Sequence, residues 1–323
     1  MKKLVFVTRK IPEVGINMLK MKGYEVDVYS KNSIPSQKKL ISLLKKKPYD
    51  AVLTLLTDKI DAKVFEAVPS AKIYSNYATG FDNLDLEEAK KREITIANSP
   101  ASFASQAVAE HTLALMFALL ARIVEADEFV RRGKYKGWDP MNFIGMDISG
   151  KNLGLIGAGR IGTIVAKYCK GLGMNIFYTD LSRNENLEKE YGAIFKTKEE
   201  ILREADVVSL HVPLLPSTRH LINEKSISMM KKSAILINTS RGPIVDEKAL
   251  EKALKNKIIT GAGLDVFEFE PKISSSLKKL QNVILTPHIA SSSEEARNQM
   301  AEIAVNNIID FFEGKNLKNK VNV

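Results

Sequence analysis

The sequence predicts an α/β protein made of two doubly wound parallel-sheet domains, and three features carry that expectation. Short apolar runs alternate with amphipathic ones through the first hundred residues, a long helical stretch then interrupts the rhythm, and the alternation resumes at Asn152. Strands and helices in strict alternation form parallel sheets covered on both faces. A chain of 323 residues also exceeds what one hydrophobic core normally organises.

In order, the first strands are expected at Leu4–Thr8, Glu25–Tyr29, Ala51–Leu55, Lys72–Ser75 and Thr95–Ala97, each a short run rich in aliphatic or aromatic residues. Helical patterns lie between them near Pro12–Met21, Ser36–Lys46, Ala62–Ala67 and Leu86–Lys91. Ser102–Arg132 reads as one helix of about thirty residues, long enough to cross from one domain to another. A loop through Gly133, Gly137 and Pro140 follows it. The second set of strands is expected at Asn152–Ile156, Asn175–Tyr178, Val207–Leu210, Ala234–Asn238, Gly261–Asp265 and Val283–Thr286, with a last helix after Ser291 reaching about Phe312.

Composition narrows the function classes. The chain is 45% hydrophobic and 27% charged, which excludes a disordered or collagen-like chain. Its one cysteine, Cys169, cannot form an intramolecular bridge. The opening MKKLVFVTRK is too briefly apolar for a signal peptide, and Leu113–Leu120 is too short for the roughly 20-residue membrane span. No membrane partner is expected, and the chain reads as cytoplasmic. The formal net charge of +10 comes from scattered lysines rather than a basic, aromatic-rich face, so the expected partner is a small anion and not nucleic acid. No spacing of His, Cys or carboxylates suggests a metal site.

Gly157-Ala158-Gly159-Arg160-Ile161-Gly162 is a G-x-G-x-x-G between an apolar strand and a helix expected over Ile164–Leu172. Glycines at this spacing mean little alone; in this context Gly157 permits the tight turn, Gly159 lets backbone approach a pyrophosphate, and Gly162 lets helix pack on strand. The next strand runs into Asp180, 23 residues after Gly157, where a carboxylate binds ribose hydroxyls and repels a 2′-phosphate. NAD(H) is therefore the expected cofactor. Arg183, which can reach a 2′-phosphate, keeps NADP(H) as the less favoured alternative.

Three later segments each run from an apolar strand into a charged residue: Ile235 to Arg241, Gly263 to Glu270 and Val283 to His288. Ligands in open α/β sheets sit beyond the carboxyl ends of the strands, so Arg241, Glu270 and His288 should face the nicotinamide crevice. The set suits hydride transfer to a 2-oxo acid. A guanidinium grips the substrate carboxylate and polarises its carbonyl, an imidazolium gives the proton, and a carboxylate orients the imidazole.

With these residues in view, Gly157–Gly162, Arg241–Asp246, Gly263–Pro271 and Thr286–His288 together resemble the signatures of the D-isomer-specific 2-hydroxyacid dehydrogenases, over the whole chain. The resemblance puts the family's catalytic residues on Arg241, Glu270 and His288, and gives Asp265 the nicotinamide carboxamide. It implies that Thr79 and Gly80, in the loop Asn76–Asp82, bind the substrate carboxylate through backbone amides, with Arg241 as the side-chain ligand. The cofactor set expected from residues and resemblance is Gly157, Gly159, Arg160, Ile161, Gly162, Asp180, Val212, Pro213, Thr239, Asp265 and Ser291. The resemblance further implies a discontinuous flavodoxin-like substrate domain, residues 1–99 and 290–323, around an inserted Rossmann NAD-binding domain, residues 100–289. A glycine loop beginning as late as Gly157 agrees with that order and argues against the L-specific dehydrogenases.

Glyoxylate/hydroxypyruvate reductases are the nearest subgroup, through Asn76–Asp82 and the loop of Trp138, which in that subgroup approaches a partner's active site. The alternatives are a D-3-phosphoglycerate dehydrogenase core without a regulatory domain, suggested by Ala107–His111, and an NAD-sensing corepressor-like binding protein. The family also implies a homodimer, expected through the Ser102–Arg132 helix because Leu113–Leu120 is unusually apolar. Of the remaining histidines, His111 is expected in packing or at an interface, His211 in a structural role or on the adenine side, and His220 on a surface loop. Glu268 competes with Glu270, and the family pattern decides for the residue next to Pro271. Cys169 is expected in the core.

Overall fold

In the computed structural model, which describes residues 2–321, the chain divides into two compact units: Met1–Ala104 with Ser292–Val323, and Ser105–Ser291. The sequence-based boundaries fall a few residues earlier, at 99/100 and 289/290.

The first unit contains β1 (Leu4–Val7), α1 (Glu13–Met21), β2 (Glu25–Val28), α2 (Gln37–Leu44), β3 (Ala51–Leu55), α3 (Ala62–Ala67), β4 (Ile73–Tyr77), α4 (Leu86–Lys91) and β5 (Thr95–Ala97). Its sheet is parallel throughout, in the flavodoxin-like order β2-β1-β3-β4-β5. β3 and β4 are buried at every position, as the central strands of a doubly covered sheet must be. β4 runs two residues past its expected end, to Tyr77, because it stays paired with β3 through Leu55.

The stretch read as one helix is two: α5 (Ser102–Leu120) and α6 (Ile123–Arg131). The break has a local cause. The carbonyl of Leu120 accepts from the amide of Met146 instead of continuing the helical ladder, and Arg122 takes a left-handed φ of 54°. A Cβ at residue 145 would lie 2.1 Å from that carbonyl oxygen, so only glycine lets the returning loop make this contact. By length and composition α5 qualifies as a membrane span, with mean hydropathy 1.3. Its apolar residues have another use: Ala109, Leu115, Met116 and Leu120 are buried in the core of the second unit. The apolar run Leu113–Leu120 is thus partly used within its own unit, while Ala114 and Phe117 remain exposed.

The second unit continues with β6 (Asn152–Ile156), α7 (Arg160–Gly171), β7 (Asn175–Thr179), α8 (Glu185–Tyr191), β8 (Ile194–Phe195), α9 (Lys198–Glu204), β9 (Val207–Leu210), α10 (Glu224–Ser228), β10 (Ile235–Asn238), α11 (Glu247–Lys255), β11 (Gly261–Leu264) and β12 (Val283–Leu285). The sheet order is β12-β11-β10-β9-β6-β7-β8, all parallel, with one apolar cluster packed around Ile201, Val208 and Leu236 and another around Leu153, Val165 and Ile237. This is the Rossmann order with an added strand, and the strand order reverses beside β6, the place where open α/β sheets bind their ligands. Helix α7 starts at Arg160, earlier than expected, because Gly159 itself serves as its N-cap. Four short helices and β8 went unread in the sequence although their caps are visible there. Asn184, Asn223 and Asp246 each cap a helix, and Thr197 with Glu200 forms a capping box at α9. The last helix, α12 (Glu294–Phe312), is capped by Ser293 and belongs to the first unit.

Candidate active site

The glycine loop leaves β6 and turns into α7. Gly157 has φ 100°, and a Cβ there would lie 2.5 Å from the His211 carbonyl oxygen, so both the conformation and the close approach require glycine. At Gly162 a Cβ would meet the Gly157 carbonyl oxygen at 2.3 Å, the tight helix–strand packing its position calls for. Gly159 differs: nothing lies within 4 Å of its Cβ position. Gly159 and Arg160 are exposed, Ile161 is half-buried, and no side chain caps this end of α7. Its first amides are therefore free to meet an anion.

Asp180, at the end of β7, accepts from the amide of Ala158 at 2.7 Å and from its own neighbour Leu181 at 2.7 Å. One carboxylate thus ties the glycine loop to the strand that follows it. Arg183 is engaged elsewhere: its guanidinium forks onto both oxygens of Glu188, at 3.0 and 2.8 Å, and its charge lies over the Phe195 ring. Just past β9, Val212 is half-buried and Pro213 exposed. These residues fit a dinucleotide, with open space over Gly159 and uncapped amides for phosphates.

On the β10–β12 side, the turn after β10 is held by buried Asn238, whose side chain donates to the Arg241 carbonyl and accepts from Ser240. Gly242 packs so tightly on Phe267 that no side chain fits there, which fixes where Arg241 leaves the strand. His288 follows β12 in a left-handed conformation, φ 55°, and its Nδ1 lies 3.0 Å from Glu270 Oε2. Burial alone would raise the pKa of Glu270, but hydrogen bonds from His288 and the Phe267 amide, with the charges of His288 and Arg241, bring it below the usual carboxylate range. Glu270 is thus acted on by both His288 and Arg241.

Glu268 is resolved from Glu270 by its partners. It is engaged by Arg219 and His220, at 3.2 and 2.7 Å, and caps the amide of Glu247. His220 is thus tied to this cluster rather than to a loop surface alone. Asp265 is bound into the loop that carries His288. Its side chain is fully buried and accepts from the Thr286 hydroxyl at 2.6 Å and the amides of Ile289 and Ala290 at 2.9 and 2.8 Å. These bonds wrap the His288 loop around Asp265. Thr239 is buried and shares a hydrogen bond with Thr112 of α5, while Ser291 is half-buried beyond the loop.

Sequence reasoning missed His111. Beyond the packing or interface role expected of it, its Nε2 reaches Thr286 Oγ1 at 3.0 Å. No periodicity marks such a contact, because 175 residues separate the partners. His211 hydrogen-bonds Ser209 through Nε2, leaves Nδ1 buried without a partner among the described residues, and has its pKa pushed down to about 4 by burial. Cys169 is fully buried in α7, as expected.

In the first unit, the loop after β4 places Thr79 exposed and Gly80 half-buried. Three asparagines hold its backbone. Asn76 donates to the Gly80 carbonyl at 3.0 Å, Asn98 to the Thr79 carbonyl at 2.7 Å, and Asn83 braces the loop against the carbonyls of Leu55 and Asp58.

Comparison with known proteins agrees with this geometry. Residues 113–290 match the family described as D-isomer specific 2-hydroxyacid dehydrogenase, NAD binding domain. A glyoxylate reductase of Korarchaeum cryptofilum is 48% identical over all of this chain and 96% of its own length. A solved protein of Thermus thermophilus superposes with TM-score 0.92 at 38% identity, covering 99% of this chain and 100% of its own. An NADPH-dependent glyoxylate/hydroxypyruvate reductase of Sinorhizobium meliloti, solved with NADP and malonate, superposes with TM-score 0.87 at 28% identity, covering 99% and 97%. The chain belongs to the D-isomer-specific 2-hydroxyacid dehydrogenase family and is an oxidoreductase.

Proposed function

We propose that the protein reduces glyoxylate or hydroxypyruvate to the D-2-hydroxy acid with NADH. The observation that carries this is the His288–Glu270 pair beside Arg241 at the carboxyl ends of β10–β12. Arg241 grips the substrate carboxylate and polarises the carbonyl. His288 gives its proton to the carbonyl oxygen, and Glu270 stays ionised to hold the imidazole in place. Gly157, Gly159, Arg160, Ile161, Gly162, Asp180, Val212, Pro213, Thr239, Asp265 and Ser291 would hold NADH, which would supply the hydride when bound. Asp265 serves this site by holding the His288 loop.

Asp180 and the capture of Arg183 by Glu188 support NADH over NADPH. The glyoxylate reductase from Korarchaeum supports this substrate class over phosphoglycerate and over a non-catalytic sensor. A homodimer is supported by apolar surface on and after α6, where Ile123, Val124, Val130, Trp138, Met141 and Ile144 are all exposed. A cytoplasmic setting completes the reading.

The deciding assay follows NADH oxidation with glyoxylate, hydroxypyruvate, pyruvate and 3-phosphohydroxypyruvate, repeated with NADPH. We expect glyoxylate or hydroxypyruvate to be reduced fastest, with NADH. Faster turnover of the phosphorylated substrate, or none with any, overturns the proposal.

A further inference from the structure

We propose that His111 is a positioning residue for this reaction, acting on the proton donor His288 through Thr286 and Asp265. The proposal rests on the reading that His288 is the proton donor. A hydroxyl has one proton, and Thr286 gives its own to Asp265 Oδ1 at 2.6 Å. Thr286 Oγ1 therefore accepts from His111 Nε2 at 3.0 Å, so that nitrogen carries a proton. His111 aims the hydroxyl, and the hydroxyl aims the carboxylate.

That carboxylate also takes the amides of Ile289 and Ala290, while the Asp265 carbonyl oxygen takes the amide of His288 at 2.8 Å. His288 sits in the left-handed region, a conformation that a non-glycine residue keeps only where its surroundings over-determine it. The four bonds onto Asp265 provide that determination.

The reach of His111 follows from β11. Gly261 and Gly263 present no side chains to α5, and Cβ atoms there would lie within 3.3 and 3.1 Å of Leu119 and Leu115. The helix thus lies close on the sheet, and one turn before Leu115 its His111 and Thr112 meet Thr286 and Thr239.

The test compares His111→Phe, which keeps a ring and removes the donor, with His111→Gln, which restores an N–H at similar reach. Amide exchange at Ile289 and Ala290, measured without substrate, should speed up tenfold or more in H111F and stay near wild type in H111Q. In the glyoxylate assay, kcat should fall about tenfold in H111F, recover to within about threefold in H111Q, and leave the NADH Kd within twofold throughout. Thr286→Val should reproduce the H111F effects, and the double variant should be no worse than T286V. Unchanged exchange and kcat in H111F, equal losses in H111F and H111Q, or additive losses in the double variant overturn the proposal. If the wild type reduces no 2-oxo acid but exchange responds as stated, the proposed function fails while the coupling of His111 to the loop stands.

Discussion

His288 Nδ1 and Glu270 Oε2 stand 3.0 Å apart, and the carboxylate of this pair titrates below the ordinary 4.5. Ionised Glu270 presents only acceptors, so it accepts a hydrogen bond from Nδ1–H and leaves Nε2 of His288 as the atom that delivers a proton outward. Orientation and charge are thereby set by one contact.

Replacing Glu270 by Gln should lower kcat for glyoxylate reduction on the order of 100-fold, as expected for loss of the partner of a general acid. The same group contributes to stability with a definite sign. In the unfolded chain it titrates at the ordinary value and in the folded chain below it, so its contribution is full above about pH 4.5 and is lost as pH falls through the folded value. Thermal melts of wild type and E270Q should therefore keep their gap from pH 6 to about 5 and converge as the pH is lowered below about 4.5; a gap that stays constant there contradicts the assignment.

His211 gives a second pH dependence. Its unfolded-state value is 6.5 and its folded value about 4, because burial disfavours the imidazolium. The unfolded chain takes up the proton first, so stability is full above pH 6.5 and declines as pH falls towards 4, by roughly 3 kcal/mol at most. Urea unfolding of the wild type and His211→Gln at pH 7.5 and 4.5 should show the larger acid loss in the wild type.

The three glycines of the cofactor loop should separate into two kinds. Gly157→Ala and Gly162→Ala place a Cβ against backbone and should destabilise by about 2 kcal/mol or more. Gly159→Ala points into open space and should leave stability within about 0.5 kcal/mol while weakening NADH binding. Calorimetry for stability and fluorescence titration for NADH distinguish them.

Coenzyme preference should follow Asp180 and Glu188 jointly. Asp180→Ser removes the charge that repels a 2′-phosphate and should raise the NADPH/NADH ratio of kcat/KM by about tenfold. Adding Glu188→Gln releases Arg183 from its fork and should raise the ratio again. If the second change has no effect, Arg183 does not face the phosphate.

An aspartate at Val130 on α6 should shift the assembly towards monomer in sedimentation, because it puts charge on the exposed apolar face. Unfolding at unchanged temperature would accompany it, since α6 buries none of its own residues.

Much of this was written in the sequence because it is local. Strand–helix alternation, the glycine loop and the three strand-end residues Arg241, Glu270 and His288 depend on spacing along the chain and on parallel strands ending on one side of a sheet. What the sequence left open was decided by contacts between distant residues. The helix break at Arg122 comes from Met146 taking the Leu120 carbonyl, the burial of Leu115, Met116 and Leu120 comes from the sheet they meet, and the occupation of Arg183 comes from Glu188. Asp265 and His111 show the division most clearly. Their residue types announce chemistry, but only tertiary packing points both at the loop of His288, because a side chain's task is set by the partners that fill its hydrogen-bonding capacity.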